Sequence, residues 1–355
     1  MRDPNHVQNP KQGKERKRRV LVTGASGHLG FYLVSELNQA GVIPHVLTRR
    51  ERSADDWGEL RVEPIVADLL EASSEEMAEY LAGFDTVYHL AALVSLFPRD
   101  AAAIDATNRW ATLRLAEACQ RAGVGRFIFT SVAATFGSEK LAGSSGGPAH
   151  DERSVYNLGD LHIPYLQSKL DAEQGLLELA ASQGELEIII ANPSILIGPP
   201  RAIRNRQSVA RGLLTSRAMA GLLHFYVDGR INLVDVRDVA RTLLKLEAHG
   251  IHGERYLLAG HSVEIRELLD QISSFLPLGR CRVRIPTRAL RWCARGQNLW
   301  SSARESSSLV DCLRLLDFGW EFSCEKTARE VGFDPTPIDD SLAEIFGWAE
   351  EHGRI

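Results

Sequence analysis

An α/β fold with a doubly wound parallel sheet is predicted by three observations. Short, nearly continuous apolar runs recur at Val20–Val22, His45–Leu47, Val62–Ala67, Thr86–Leu90, Arg126–Thr130 and Leu186–Ala191. Segments with helical character, at 31–40, 101–122 and 162–182, alternate with them. The first run leads directly into the glycine-rich turn Thr23-Gly24-Ala25-Ser26-Gly27-His28-Leu29-Gly30. Runs without polar alternation suit strands buried on both faces, and alternation with helices suits a parallel sheet covered on both sides.

The bulk numbers frame this fold. The chain has 355 residues, 44% hydrophobic and 25% charged, an ordinary globular composition. That length exceeds one typical domain. The expected layout is a disordered basic tail over 1–18, a sheet domain over 19–193 rejoined by 232–250, and a smaller mixed C-terminal lobe from 194–231 and 251–355. Ile231–Val234 reads as a returning strand, and Gly143–Gly147 as a flexible patch inside the first domain.

Several classes are excluded as expectations. A net charge of −5 gives the body no electrostatic case for nucleic-acid binding. The tail residues Lys11, Lys14, Arg16, Lys17, Arg18 and Arg19 read as a solvated extension. No apolar run reaches the roughly 18 residues that span a bilayer. There is no apolar core before Val20, so no secretory signal and a cytoplasmic location are expected. The five cysteines, Cys119, Cys281, Cys293, Cys312 and Cys324, lack metal-ligand spacing, so reduced thiols and no metal are expected.

In the turn, Gly24 permits the tight bend, Gly27 lets a ligand approach the backbone, and Gly30 lets a helix pack close to the strand. The helix that follows presents unsatisfied N–H groups and its positive dipole end. A strand–turn–helix of this kind binds the pyrophosphate of a dinucleotide. The end of the second run discriminates between cofactors. An acid there favours NAD, and an arginine favours the 2′-phosphate of NADP. Thr48-Arg49-Arg50 offers Arg49 first and Arg50 second, so NADP is the expected cofactor, with NAD the alternative. Asp68 suits either an adenine amino group or the N-cap of a helix at 70–80.

Tyr165 and Lys169 are four residues apart on a predicted helix and share one face. With this pair the resemblance is plain. The chain resembles the extended short-chain dehydrogenases/reductases, within the epimerase/dehydratase and dihydroflavonol-reductase-like group. The matching residues are the Thr23–Gly30 turn, Ala67-Asp68-Leu69, His89-Leu90-Ala91-Ala92, Asn108, Thr130-Ser131, Tyr165 with Lys169, and Asn192-Pro193 with Gly198-Pro199. Leu233–Ala240 and Lys326–Pro335 match its C-terminal segments, so the likeness spans about 19–345.

The resemblance implies a Rossmann-type domain with a substrate lobe and a hydride transfer between a carbonyl/alcohol pair and the nicotinamide. Thr23, Gly24, Ser26, Gly27, His28, Leu29 and Gly30 would hold the pyrophosphate. Asp68 would accept from the adenine amino group, Leu69, Ala91 and Ala92 would also bind the cofactor, and Pro193 and Ile195 would border the carboxamide. Tyr165 would exchange the proton. Lowering a phenol from about 10 to about 7 requires roughly 4 kcal/mol of phenolate stabilisation. Lys169 would supply it as a cation while binding the nicotinamide ribose. Asn108 would organise the relay or bond its own backbone region. The family places a Ser or Thr beside the tyrosine, but here Val132 stands at that position. Ser131, re-aimed by a bulge, is the expected substitute, with Thr135 second. Asn192 stands where many relatives carry Arg.

His89 reads as a packed strand-end histidine, and Asp235 and Asp238 as caps or surface loop. Leu290–Trp300 reads either as an apolar substrate lid or as core packing. The expected function is an NADP(H)-dependent oxidoreductase acting on a small apolar or amphipathic substrate. The alternatives are an NAD-dependent nucleotide-sugar epimerase/dehydratase and a non-enzymatic NAD(P)-sensing protein. Helices 101–122 and 162–182 are the usual dimer faces of resembling proteins, so a homodimer is expected.

Overall fold

The computed structural model describes residues 18–95, 97–140, 149–182, 184–200, 225–226, 228–275, 283–286, 315 and 318–352. The expected features at 1–17, 143–147, 201–224 and 290–300 lie outside these residues.

The chain opens with β1 (Val20–Thr23), the glycine turn and α1 (His28–Gln39). Then come β2 (His45–Thr48), β3 (Glu63–Val66), α2 (Ser74–Leu81) and β4 (Thr86–His89). A long helix follows in three pieces: α3 (Ala101–Asp105), a π-helical turn (Ala106–Trp110) and α4 (Ala111–Arg121). After β5 (Arg126–Thr130) and the short β6 (Glu139–Lys140) come α5 (Pro164–Ala181) and β7 (Glu187–Pro193). Helix α5 begins at Pro164, which suits a first turn whose N–H groups have no partner anyway.

The second part holds β8 (Ile195–Ile197), β9 (Phe225–Tyr226), β10 (Arg230–Asp235), α6 (Val236–His249) and β11 (Arg255–Leu258). Strand β12 (His261–Glu264), α7 (Ile265–Phe275), β13 (Val283–Arg284), β14 (Phe318–Gly319), α8 (Glu325–Val331) and α9 (Ile338–Glu351) complete it.

Seven strands form one parallel sheet in the order β11-β7-β5-β4-β1-β2-β3. The order reverses at β1, which pairs with β2 on one side and β4 on the other. A crevice at the carboxyl ends of the strands opens at such a switch point. Within β1 the side chains divide between two cores. Val20 and Val22 pack with α1 and α6, while Leu21 packs with α2, α4 and α5. Every residue of β1 is buried, as its unbroken apolar run requires.

The expected division of the chain differs from the observed one at two points. Strand β11, expected in the C-terminal lobe, pairs in parallel with β7 and forms an edge of the main sheet. Conversely, the strand at 231–234 does not return to that sheet. It becomes β10 in a second, mixed sheet, parallel to β8 and antiparallel to β12. Only helix α6 returns, packing its apolar face against α1. Asp235 caps α6 by accepting from the Arg237 amide at 2.8 Å. Asp238 is buried rather than a surface-loop residue, and accepts from the Thr336 amide and hydroxyl at 2.6 and 3.0 Å.

Candidate active site at the carboxyl ends of the sheet

The glycine turn is shaped by close backbone packing. Gly24 has φ +70°, and a Cβ there would lie 2.6 Å from the Ala91 nitrogen. A Cβ on Gly30 would lie 2.2 Å from the Gly24 carbonyl oxygen. Side chains at either position would push α1 off β1 or Ala91 off the turn. Gly27 is the N-cap of α1 and offers no side chain to the first-turn amides, and no acidic residue lies in that turn. Those amides have no intrahelical acceptor and are open to an anion.

Thr23 ends β1 as a buried connector. Its hydroxyl accepts from the Ala91 amide at 3.2 Å and donates to His89 Nδ1 at 2.7 Å. His89 Nε2 donates to the Thr112 hydroxyl at 2.9 Å, which donates to the Asn108 carbonyl at 2.7 Å. The donors and acceptors along this chain place the ring proton on Nε2. Burial pushes His89 down to about 3, so it is neutral, and its ring is stacked near Phe127 and Phe129. It is the packed strand-end histidine that the sequence suggested.

Asn108 lies in the π-turn and is fully buried. Its Oδ1 accepts from the Leu93 amide at 2.8 Å, and its Nδ2 donates to the Leu93 carbonyl at 3.0 Å and to Ser168 Oγ at 3.1 Å. Ser168 donates in turn to the Tyr165 carbonyl at 2.8 Å. Asn108 therefore links the segment after β4 to the first turn of α5. Its backbone partner, Leu93, lies outside its own helix region.

Tyr165 and Lys169 share a face of α5, as their spacing requires. Tyr165 is half-buried, and Val132 packs in the same apolar cluster with Leu158, Leu161, Ile163 and Leu166. Burial pushes the Tyr165 phenol up to about 12. Lys169 is 2% exposed. Its Nζ donates to the Thr130 carbonyl at 2.8 Å and lies 4.6 Å from the centre of the Phe129 ring. Burial pushes the ammonium down to about 7, and the Glu173 charge opposes that.

Ser131 does not take the place expected of it. Its amide donates to the Ala191 carbonyl at 2.8 Å, which keeps β5 regular into Ser131 without a bulge. Its hydroxyl donates to Glu173, one helical turn beyond Lys169. Thr135 also belongs to this group, accepting from Asn192 Nδ2 and from Arg255 at 3.0 Å each. Asn192 Nδ2 donates to Glu173 at 2.7 Å, and the Arg255 guanidinium lies 2.7 Å from the other Glu173 oxygen. Neither Glu173 nor Arg255 is among the expected site residues. The spacing Tyr165–Lys169–Glu173, two steps of four on one helix, is the signal that marks Glu173.

The remaining expected residues fall on the glycine turn and after β2, β3 and β7. Arg49 and Arg50 follow β2, are exposed, and have no hydrogen bond or ion pair with another described residue. Thr48 lies one residue beyond the Thr23–Leu47 pair, so Arg49 emerges beside the glycine turn. Asp68 accepts from the Leu70 amide at 2.9 Å. It does not cap a helix at 70–80, because α2 starts at Ser74 under a Ser73/Glu76 capping box. Leu69 offers its carbonyl to Arg114 at 2.9 Å. Pro193 ends β7 opposite Leu258, and Ile195 is 43% exposed just beyond it. Ser26 is exposed on the turn, and Leu29 is buried beneath it.

The crevice fits a nicotinamide dinucleotide. Thr48 Oγ1, Thr130 Oγ1, Ser194 Oγ and His28 Nε2 are buried without a hydrogen-bond partner. Three of these lie at or just past the carboxyl ends of β2, β5 and β7, and the fourth opens α1. Burial pushes the His28 imidazole down. Buried polar atoms in proteins are mostly paired, and these are four of the thirteen unpartnered buried side-chain atoms among the described residues. Orphans gathered along one crevice, beside an open helix N-terminus and free guanidinium groups, match a polar, phosphate-bearing ligand.

The chain resembles known proteins in sequence and in fold. The family model described as "NAD dependent epimerase/dehydratase family" matches residues 20–259. The chain belongs to that family and is an NAD(P)-dependent enzyme of its oxidoreductase/epimerase type. It is similar to the "Sterol demethylase protein B" of Methylococcus capsulatus, 29% identical over 340 residues, covering 95% of this chain and 99% of that protein. It is also similar to the "4-hydroxy-2-methyl-3-oxo-4-farnesyl-3,4-dihydroquinoline-1-oxide ketoreductase" of Stigmatella aurantiaca. That match is 28% identical over 331 residues, covering 89% of this chain and 91% of that protein. Among solved structures, the crystal structure of gox2253 has a TM-score of 0.78 at 28% identity, covering 96% of this chain and 100% of that one. Among the described residues, no helix is long and apolar enough to cross a membrane, and no group of His, Cys, Asp or Glu forms a metal site.

Proposed function

We propose that the chain is an NADP(H)-dependent oxidoreductase that interconverts a ketone and an alcohol on a small apolar or amphipathic substrate. The observation that carries this reading is the pair on α5: Tyr165 half-buried in an apolar cluster, and Lys169 buried one turn further against the end of β5. When bound, the nicotinamide supplies or accepts the hydride. The residues of this chain handle the proton. A phenol held near 12 stays protonated at neutral pH and serves as a donor to a carbonyl oxygen. The Lys169 ammonium stabilises the phenolate left behind. Val132 packs in the cluster beside Tyr165 and offers no donor, so Tyr165 carries the substrate oxygen without a neighbouring hydroxyl.

Arg49, with Arg50 beside it, supports NADP over NAD, since a free guanidinium pairs bidentately with a 2′-phosphate. The apolar surroundings of Tyr165 support an apolar or amphipathic substrate. The ketoreductase relative, named for a farnesyl-bearing ketone, points the same way.

The test is NADPH oxidation against a panel of ketones, with direct titration of NADPH and NADH. Tyr165→Phe is expected to lose at least about 100-fold in kcat while keeping its NADPH affinity. Equal rates in the two proteins would remove Tyr165 from the chemistry. Tighter binding of NADH than of NADPH would overturn the cofactor preference.

A further inference from the structure

We propose that Glu173 is the positioning counter-charge of Lys169, and that Arg255, reaching across from β11, holds Glu173 as a carboxylate. The proposal rests on the reading of Tyr165 and Lys169 given above.

Lys169 poses a problem of charge. An ammonium taken out of water needs a counter-charge, or it gives up its proton. Among the described residues its direct contacts are neutral, the Thr130 carbonyl and the Phe129 ring. His89, facing it from β4, is neutral and lies within its field. Tyr165, one turn back on α5, is a protonated phenol. Among the described residues, the carboxylate acting on it is Glu173, four residues on and on the same helical face.

Glu173 is itself 1% exposed. One of its oxygens is hydrogen-bonded, and the other is held by an ion pair without a hydrogen bond of good geometry. The Ser131 hydroxyl and Asn192 Nδ2 donate to one, and the Arg255 guanidinium lies against the other. Burial leaves the carboxyl above its usual range, and Arg255, Ser131, Thr135 and Asn192 each pull it back toward the carboxylate. Arg255 is fixed in turn by the Thr135 hydroxyl and by the Phe136 ring, 3.8 Å from the guanidinium carbon. Glu152 adds a further favourable charge on Arg255. Positive, negative and positive groups thus run from α5 to β11, linking the proposed catalytic lysine to a strand more than eighty residues away. Neither Glu173 nor Arg255 is placed at the reacting atoms. Both act through Lys169.

The sequence contains seven lysines, few enough to follow by NMR in the cofactor-free protein labelled with 13C-lysine. The Lys169 signal is assigned by its loss in Lys169→Met. Glu173→Gln keeps the shape and the acceptor oxygen but removes the charge. It is expected to move the Lys169 titration down by about one pH unit, the scale of a nearby opposite charge. Arg255→Met is expected to move it the same way, because Glu173 then takes up a proton. Arg255→Lys is expected to restore most of the shift. The alkaline limb of kcat for ketone reduction should move to lower pH in parallel. A Lys169 titration unchanged in folded Glu173→Gln, or moved upward in Arg255→Met, overturns the proposal. Wild-type turnover in Lys169→Met would instead sink the Tyr165/Lys169 reading, while the NMR titration still decides the link to Glu173.

Discussion

The Thr23 hydroxyl donates to His89 Nδ1 at 2.7 Å, joining the first residue of the glycine turn to the neighbouring strand of the sheet. The bond requires neutral His89. The folded value near 3 lies below the ordinary 6.5, so the folded protein binds fewer protons than the unfolded chain between those values. The stability this contributes is fully present above about pH 6.5 and is lost as pH falls toward 3. His89→Gln is expected to cost about 1–3 kcal/mol at pH 7. It should also flatten the decline in stability between pH 6.5 and 4. Urea unfolding at several pH values measures both.

The glycines of the turn should separate folding from binding. Gly30→Ala brings a Cβ within 2.2 Å of backbone and is expected to lower Tm by several degrees. At Gly27 the nearest atom to a Cβ would be 3.1 Å away, so the fold needs only a small adjustment. Gly27→Ala is expected to keep Tm within a few degrees yet to lose NADPH affinity, because its methyl enters the space proposed for the pyrophosphate. Thermal melts and cofactor titration of the two variants test this contrast.

Arg49 offers a cleaner case, since it is exposed and makes no hydrogen bond or ion pair with another described residue. Arg49→Ala is expected to change stability by less than about 0.5 kcal/mol. NADPH affinity should fall by about tenfold or more, the scale of one charge-assisted contact, with NADH affinity unchanged. An equal loss for both cofactors would place Arg49 away from the 2′-phosphate.

Asn108→Ala removes three hydrogen bonds from a fully buried position and strands both Leu93 backbone groups. A loss of about 2–4 kcal/mol is expected from chemical denaturation. Asn108→Asp keeps the acceptor for the Leu93 amide but places an oxygen against the Leu93 carbonyl. It should recover little of that loss.

The legible parts of this molecule were those set by local pattern. Val20–Thr23 and Arg126–Thr130 read as strands because both of their faces are buried, and Gly24 and Gly30 because only glycine fits there. Arg255–Leu258 escaped because four residues opening on an arginine carry too little periodicity to separate an edge strand from a loop. Ser131 was misdirected for a physical reason. Its partner, Glu173, lies 42 residues away and reads in isolation as a solvated helix residue. Buried polar networks are made of such long-range pairs, and no window along the sequence contains both ends.

The π-turn at Ala106–Trp110 also acts as a phase shifter. An α-helix advances about 100° per residue, so one extra residue in a turn rotates everything beyond it relative to everything before. With that residue present, Ile104 is buried on one side of the turn and Leu115 packs in an apolar cluster on the other, while Asn108 faces Leu93 and Ser168. Deleting one residue between 106 and 110 would regularise the helix and put these three directions out of step. The irregularity thus lets one continuous rod serve an oily interior at both ends and a polar crevice in the middle.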